Sequence, residues 1–176
     1  MLAFAGAALL GLSSVAAHPA PASPTHCRAR PASIGPAQVD ADSLARLVAS
    51  ADGCWKVVNF WAGWCAPCRA EVPALAALQA DPRWRRLEII TVNMDRPQNW
   101  SVAHVLLVRA GAFRTVNVQL VPPDFDDVRQ ITGGPWNLAL PLTVVIGPDG
   151  KQRVRHDGAL SISRLIDYLA QNGVQE

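Results

Sequence analysis

Charge is scarce in this chain. Only 17% of its 176 residues are charged, and the formal net charge is +2. That balance is too small to argue for nucleic acid as a partner. The basic residues are scattered, and the densest group, Arg83, Arg85 and Arg86, reads as a solvent-facing cluster. Disorder is excluded too, because half of the residues are hydrophobic, enough to build one core. No internal repeat occurs. The cysteines are few: Cys27, Cys54, Cys65 and Cys68. A structural zinc site of four cysteines usually pairs one C-x-x-C with another, and Cys27 and Cys54 stand 27 residues apart. Covalent haem attachment needs a histidine directly after the second cysteine, and Arg69 stands there instead. His104 and His156 are isolated along the chain and read as surface or capping residues.

Charge is absent altogether from Met1 to Ala17, which ends Val15-Ala16-Ala17. Small residues there suit signal-peptidase cleavage after Ala17. The run is shorter than the about 20 apolar residues of a spanning helix. It lacks the basic start of a signal peptide, and no lipobox cysteine follows it. Residues 1–17 therefore read as a signal peptide or an N-terminal anchor. Residues 18–39, with Pro19, Pro21, Pro24, Pro31 and Pro36, read as a stiff, solvated tether. Residues 40–176 are left for a single folded domain.

Within that domain, strands and helices alternate. Asp42 is expected to cap a helix carrying Leu44, Leu47 and Val48, with Gly53 as its stop. Trp55–Trp61 is a nearly continuous apolar run, as in a strand buried on both faces. The helix after Cys68 carries Val72, Leu75, Ala76 and Leu78 at helical spacing, with Pro73 expected to kink it. Further strands are expected over Leu87–Val92, Thr115–Val121, Leu142–Ile146 and Gln152–His156. Gly147-Pro148-Asp149-Gly150 joins the last two as a hairpin. Helices are expected from Asn99 or Ser101 to Gly111 and from Ser161 or Ser163 onward, with a short helix or irregular segment over Asp124–Thr132. The pattern predicts an α/β sheet closed on one side by an antiparallel pair.

The C-x-x-C pair, Trp64-Cys65-Ala66-Pro67-Cys68, joins the strand at Trp55–Trp61 to the start of a helix. A thiolate, not a thiol, attacks a disulfide. Free backbone N–H groups and the helix dipole favour negative charge at Cys65. Cys68 lies one turn deeper. Cys65 is thus the attacking sulfur and Cys68 the resolving one. Pro67 fits a helix start, where its missing N–H costs nothing.

The stretch from Val58 to Pro73, Val-Asn-Phe-Trp-Ala-Gly-Trp-Cys-Ala-Pro-Cys-Arg-Ala-Glu-Val-Pro, resembles the thioredoxin superfamily. It is most similar to the exported thiol–disulfide oxidoreductases of the TlpA/ResA/CcmG type. Leu140-Pro141-Leu142-Thr143-Val144-Val145-Ile146-Gly147-Pro148-Asp149-Gly150 is a second match. The resemblance spans roughly residues 40–172 and implies a thioredoxin-like fold: a central sheet flanked by helices, with an αβ insertion at about Asn99–Val121. It implies Pro141 as a cis-proline beside the disulfide, with Leu140 offering backbone to an extended substrate. Trp64, Ala66 and Pro67 would border the same groove. Asn59 stands where cytosolic thioredoxins keep a buried Asp. Glu71, three residues after Cys68, matches a glutamate of the exported branch that moves protons as the thiols cycle; the plainer reading is a first-turn acid. Trp61 and Trp64 are expected to pack around the site, and Trp136 either there or in the core. The stretch Gly133-Gly134-Pro135-Trp136-Asn137 and Leu142, where many relatives have Thr, depart from the family pattern. Cys27 and Cys54 form a second, structural disulfide, or stay free, or Cys27 links to another chain; an even count favours pairing.

The resulting expectation is an extracytoplasmic monomer, in the periplasm or tethered at its N-terminus, that needs no cofactor beyond the Cys65–Cys68 couple. It would reduce disulfide-containing client proteins, such as those of cytochrome c biogenesis, and take electrons from a membrane thiol reductant. A strong oxidant would carry a larger helical insertion, and a peroxidase a Thr-x-x-Cys environment. The rival class is a Cu(I)-handling protein for metal-centre assembly, since thiolates bind Cu(I) well. It would need a third soft ligand or histidine near the pair.

Overall fold

The computed structural model describes Cys27 and residues 37–175. The 1–17 segment and most of the 18–39 tether lie outside the described residues. The chain runs β1 (Ala37–Val39), α1 (Ala41–Ala49), β2 (Trp55–Trp61), α2 (Ala66–Ala80), β3 (Leu87–Asn93), α3 (Trp100–Arg109), β4 (Val116–Leu120), α4 (Phe125–Thr132), β5 (Leu142–Ile146), β6 (Gln152–Asp157) and α5 (Ile162–Gln171). The strands form one six-stranded sheet in the order β1-β4-β3-β2-β5-β6. β1, β4, β3 and β2 run parallel to one another; β5 is antiparallel to β2, and β6 to β5. The expected α/β architecture is borne out. The insertion, α3 and β4, places its strand between β1 and β3.

Alternation along β2 divides the interior in two. Val58 and Phe60 face α1 and α4, packing with Leu44, Val48 and Val128. Trp55 and Val57 face α2 and α5, packing with Leu75, Leu78, Leu165 and Leu169. Trp61, on that same face, joins Cys65, Cys68 and Val72 with Ala103 and Leu107 of α3. The run from Trp55 to Trp61 is buried throughout, Lys56 included. Lys56 Nζ donates to Ser50 O at 2.6 Å and Asp52 Oδ1 at 2.8 Å, which is what allows a cation inside.

Three local expectations are corrected. The cap of α1 is Asp40, whose Oδ1 accepts from the Ser43 N–H at 2.8 Å; Asp42 sits in the first turn. Both acids suit a helix start, and the geometry selects the one two residues earlier. The strand β1 lies within the stretch assigned to the tether. Three residues show almost no periodicity, and the strand exists because Ala37, Gln38 and Val39 pair with Val118, Gln119 and Leu120. α1 closes at Ala49 with Ser50 as its C-cap, three residues before the Gly53 expected as its stop; Pro73 lies inside α2. At α5 the choice falls on Ser161, whose Oγ accepts from the Arg164 N–H.

Candidate active site

β2 delivers the chain to the site and α2 receives it. Cys65 is the residue that caps α2: its Sγ accepts from the Cys68 N–H at 3.3 Å, and its carbonyl accepts from the Arg69 N–H at 3.2 Å. The Cys65 N–H in turn donates to Ala62 O at 3.1 Å, closing a tight turn. Pro67 lies in the first turn of the helix, where no donor is required. Cys65 and Cys68 are joined as a disulfide with Cα atoms 5.3 Å apart. Cys68 is wholly buried and Cys65 is 5% exposed, whereas Trp64 is 63% exposed. Ala66 and Pro67 are exposed beside it.

The Leu140–Pro141 peptide is cis. Leu140 packs against the cluster that contains both cysteines, and Pro141 is buried. A second cis bond, Val121–Pro122, is a feature the sequence did not signal. Trp136 belongs to the core on the α1/α4 side, with its ring centroid 5.3 Å from that of Phe125. Of its two expected places it takes the core.

Glu71 lies one turn after Cys68 and is 5% exposed. Its Oε1 accepts from the Leu160 N–H at 2.6 Å, and its Oε2 accepts from Asn59 Nδ2 at 3.1 Å. Asn59 Nδ2 also donates to Thr143 Oγ1 at 2.9 Å. Burial pushes the Glu71 carboxyl above the usual glutamate range; those donors and the charge of His156 oppose the rise without cancelling it. A raised folded value means that the fold favours the protonated acid. That stability is fully present below the unfolded-state value and is lost as pH rises through the folded one. Glu71→Gln cannot ionise, so its stability relative to the parent is expected to increase with pH across that window. Urea midpoints at about pH 4 and about pH 8 check this; a difference that stays flat or shrinks contradicts it.

Cys27 and Cys54 are also joined, with Cα atoms 5.6 Å apart. Cys54 precedes β2, at the opposite end of the strand from Cys65. The Cys27 N–H donates to Arg85 O at 2.8 Å. His104 stacks on Trp100 at 5.0 Å, and His156 Nε2 lies 2.9 Å from Ala159 O. Two features escaped the sequence reading. One is a cleft of about 480 Å³ beside Trp64, lined by Met94, Arg96, Asn99, Pro123 and Phe125. The other is Asp95, 2% exposed, whose carboxyl reaches the Gly63 N–H. The available signal was an acid directly after an apolar strand.

A helix-capping disulfide at the end of a parallel strand, with a cis-proline loop packed against it, defines a thioredoxin-like fold. The chain belongs to the AhpC/TSA family, whose profile matches residues 38–155. It is 32% identical over 117 residues to the thiol-disulfide oxidoreductase ResA of Oceanobacillus iheyensis, covering 64% of this chain and 54% of that protein. It is 33% identical over 106 residues to a thiol:disulfide interchange protein DsbE homolog of Paracoccus denitrificans, covering 60% and 51%. The chain thus spans about half the length of these curated relatives. Among solved structures, a secreted Mycobacterium tuberculosis disulfide oxidoreductase homologous to E. coli DsbE aligns with a TM-score of 0.51. It is 21% identical, with 68% of this chain and 82% of that one covered.

Proposed function

We propose that this protein is a thiol–disulfide oxidoreductase that reduces disulfides of exported client proteins. The observation that carries the reading is Cys65 at the N-terminus of α2, with the Cys68 N–H directed at its sulfur. In the reduced protein the same N–H, with the helix dipole, stabilises a Cys65 thiolate. That thiolate attacks one sulfur of a client disulfide. A Cys65–client S–S bond forms, the client S–S bond breaks, and the departing client sulfur takes up a proton. Cys68 then loses its proton, for which Glu71 is the nearby buried acceptor, and attacks Cys65 Sγ. The mixed disulfide breaks and the second client sulfur leaves as a thiol. The client gains two electrons, and the protein ends as the Cys65–Cys68 disulfide seen here. Trp64, Ala66 and Pro67 offer the exposed contact surface, and Pro141 with the Leu140 backbone forms its opposite wall.

In this reading a membrane thiol reductant returns the two electrons, and the domain works outside the cytoplasm. No helix among the described residues is long and apolar enough to cross a membrane. Cys27–Cys54 is a structural bridge. Among the described residues no group of three or more His, Cys, Asp or Glu side chains is placed to hold a metal ion.

Equilibration of the Cys65–Cys68 couple with glutathione buffers tests the direction. A reductase is expected to lie well below the about −120 mV of a strong oxidant. A value near that figure would overturn the reducing direction and leave exchange itself standing.

A further inference from the structure

Asp95 is an acid just past the end of β3, a place where solvent would be the default. It is instead 2% exposed. Its Oδ2 accepts from the Gly63 N–H at 2.7 Å and from Asn93 Nδ2 at 2.8 Å. Both of these donors are neutral, and burying an acid against neutral donors is costly. Its backbone is held as well. The Asp95 N–H donates to Asn93 Oδ1 at 3.2 Å, and Gln119 Nε2 donates to Asp95 O at 3.2 Å. Gln119 Oε1 accepts in turn from Gln38 Nε2 at 3.3 Å. A polar line therefore runs from edge strand β1 through the inserted strand β4 and β3 to the turn that carries Cys65.

We propose that Asp95 is a positioning residue of the thiol site: its carboxyl pins Gly63, two residues before Cys65, and so fixes the turn that presents the Cys65 sulfur. This rests on the reading of Cys65 as the attacking thiol. The turn is held by Asp95 on the Gly63 N–H, by Arg69 Nη1 on the Gly63 carbonyl at 3.4 Å and by Ala62 O on the Cys65 N–H. The last two come from the turn and the first turns of α2; the first ties Gly63 to the segment after β3, next to the Met94 N–H that donates to Trp61 O at 2.8 Å. Gly63 is suited to this close approach. A Cβ there would lie 3.2 Å from Asp95 Oδ2, 3.4 Å from Val102 Cγ1 and 3.5 Å from Leu106 Cδ1. With the anchor gone, the turn drifts, and the Cys68 N–H no longer meets the Cys65 sulfur squarely. The inserted β4 thereby acquires a role, since Gln119 buttresses the residue that holds the turn.

The test uses the reduced full chain and iodoacetamide, so it needs no client. The rate of Cys65 alkylation is followed against pH, with the reduction potential as a second readout. Asp95→Ala is expected to slow alkylation about tenfold at neutral pH, within the cost of a small misplacement of a reacting group. Its pH midpoint should rise and its potential should become more negative. Asp95→Asn removes the charge and keeps an oxygen acceptor for Gly63, so it should recover most of the rate. An unchanged rate and midpoint in Asp95→Ala would overturn the proposal, as would an Asp95→Asn no better than Asp95→Ala. Should Asp95→Ala fail to fold by far-UV dichroism, Gly63→Ala decides. Its Cβ presses the turn off Asp95 and should slow alkylation likewise, and a parental rate there overturns the idea. A parent protein whose Cys65 alkylates readily but reduces no client sinks the functional reading alone.

Discussion

Cys65→Ser is expected to lower disulfide exchange to the rate of buffer alone. A serine hydroxyl stays protonated at neutral pH and forms no stable bond to a client sulfur, so both steps of the exchange are lost. The loss would not come from unfolding. Cys65 caps α2 with its side chain, and serine is among the preferred residues at that position. The variant should therefore unfold in urea close to the parent. Turnover of a disulfide-bonded peptide, followed with the urea midpoint, separates the two effects. Parental turnover in a folded Cys65→Ser would remove Cys65 from its role and leave the capping geometry without a chemical purpose.

The double variant Cys27→Ala/Cys54→Ala should do the reverse, keeping exchange and losing stability. The bridge closes a loop of 27 residues, which on chain-entropy grounds is worth about 3 kcal/mol. For a chain of this length that corresponds to a fall in Tm of roughly 6–12 °C. Total stabilities of about 5–15 kcal/mol make this a large fraction. Exchange should persist because the two disulfides sit at opposite ends of β2, a seven-residue strand of roughly 20 Å. Calorimetry of the oxidised protein checks the shift. An unchanged Tm would mean that the bridge constrains nothing in the unfolded chain. Lost exchange would mean that the two ends of β2 are coupled.

Much of this site is legible in the sequence because its chemistry is local. Cys65, Pro67, Cys68 and Glu71 lie within two helical turns, and the apolar run before them suits an interior strand. Helix caps were nearly legible: Asp40 and Asp42 are both suitable, and only the geometry selects the former. What stayed hidden depends on partners far along the chain. Three residues at Ala37–Val39 become a strand only when β4 lies beside them. The Glu71 environment is completed by the Leu160 N–H, 89 positions away. The Asp95–Gly63 contact spans 32 positions, and nothing in the spacing of either residue announces it. Trp136 was open between site and core because a tryptophan suits either. Its place among Phe125 and the α1/α4 cluster follows from where α4 packs, which no local pattern encodes.

The most direct measurement of the central claim is capture of the mixed disulfide by Cys68→Ser. With the resolving sulfur gone, exchange should stop after the first step. The client should then remain bonded to the protein through an S–S link that mass spectrometry of non-reduced peptides assigns to Cys65. Accumulation of that single adduct, released by dithiothreitol, is the expected result. Absence of any adduct in a protein that still consumes client disulfide would contradict the two-step exchange, as would an adduct on Cys27 or Cys54 in place of Cys65.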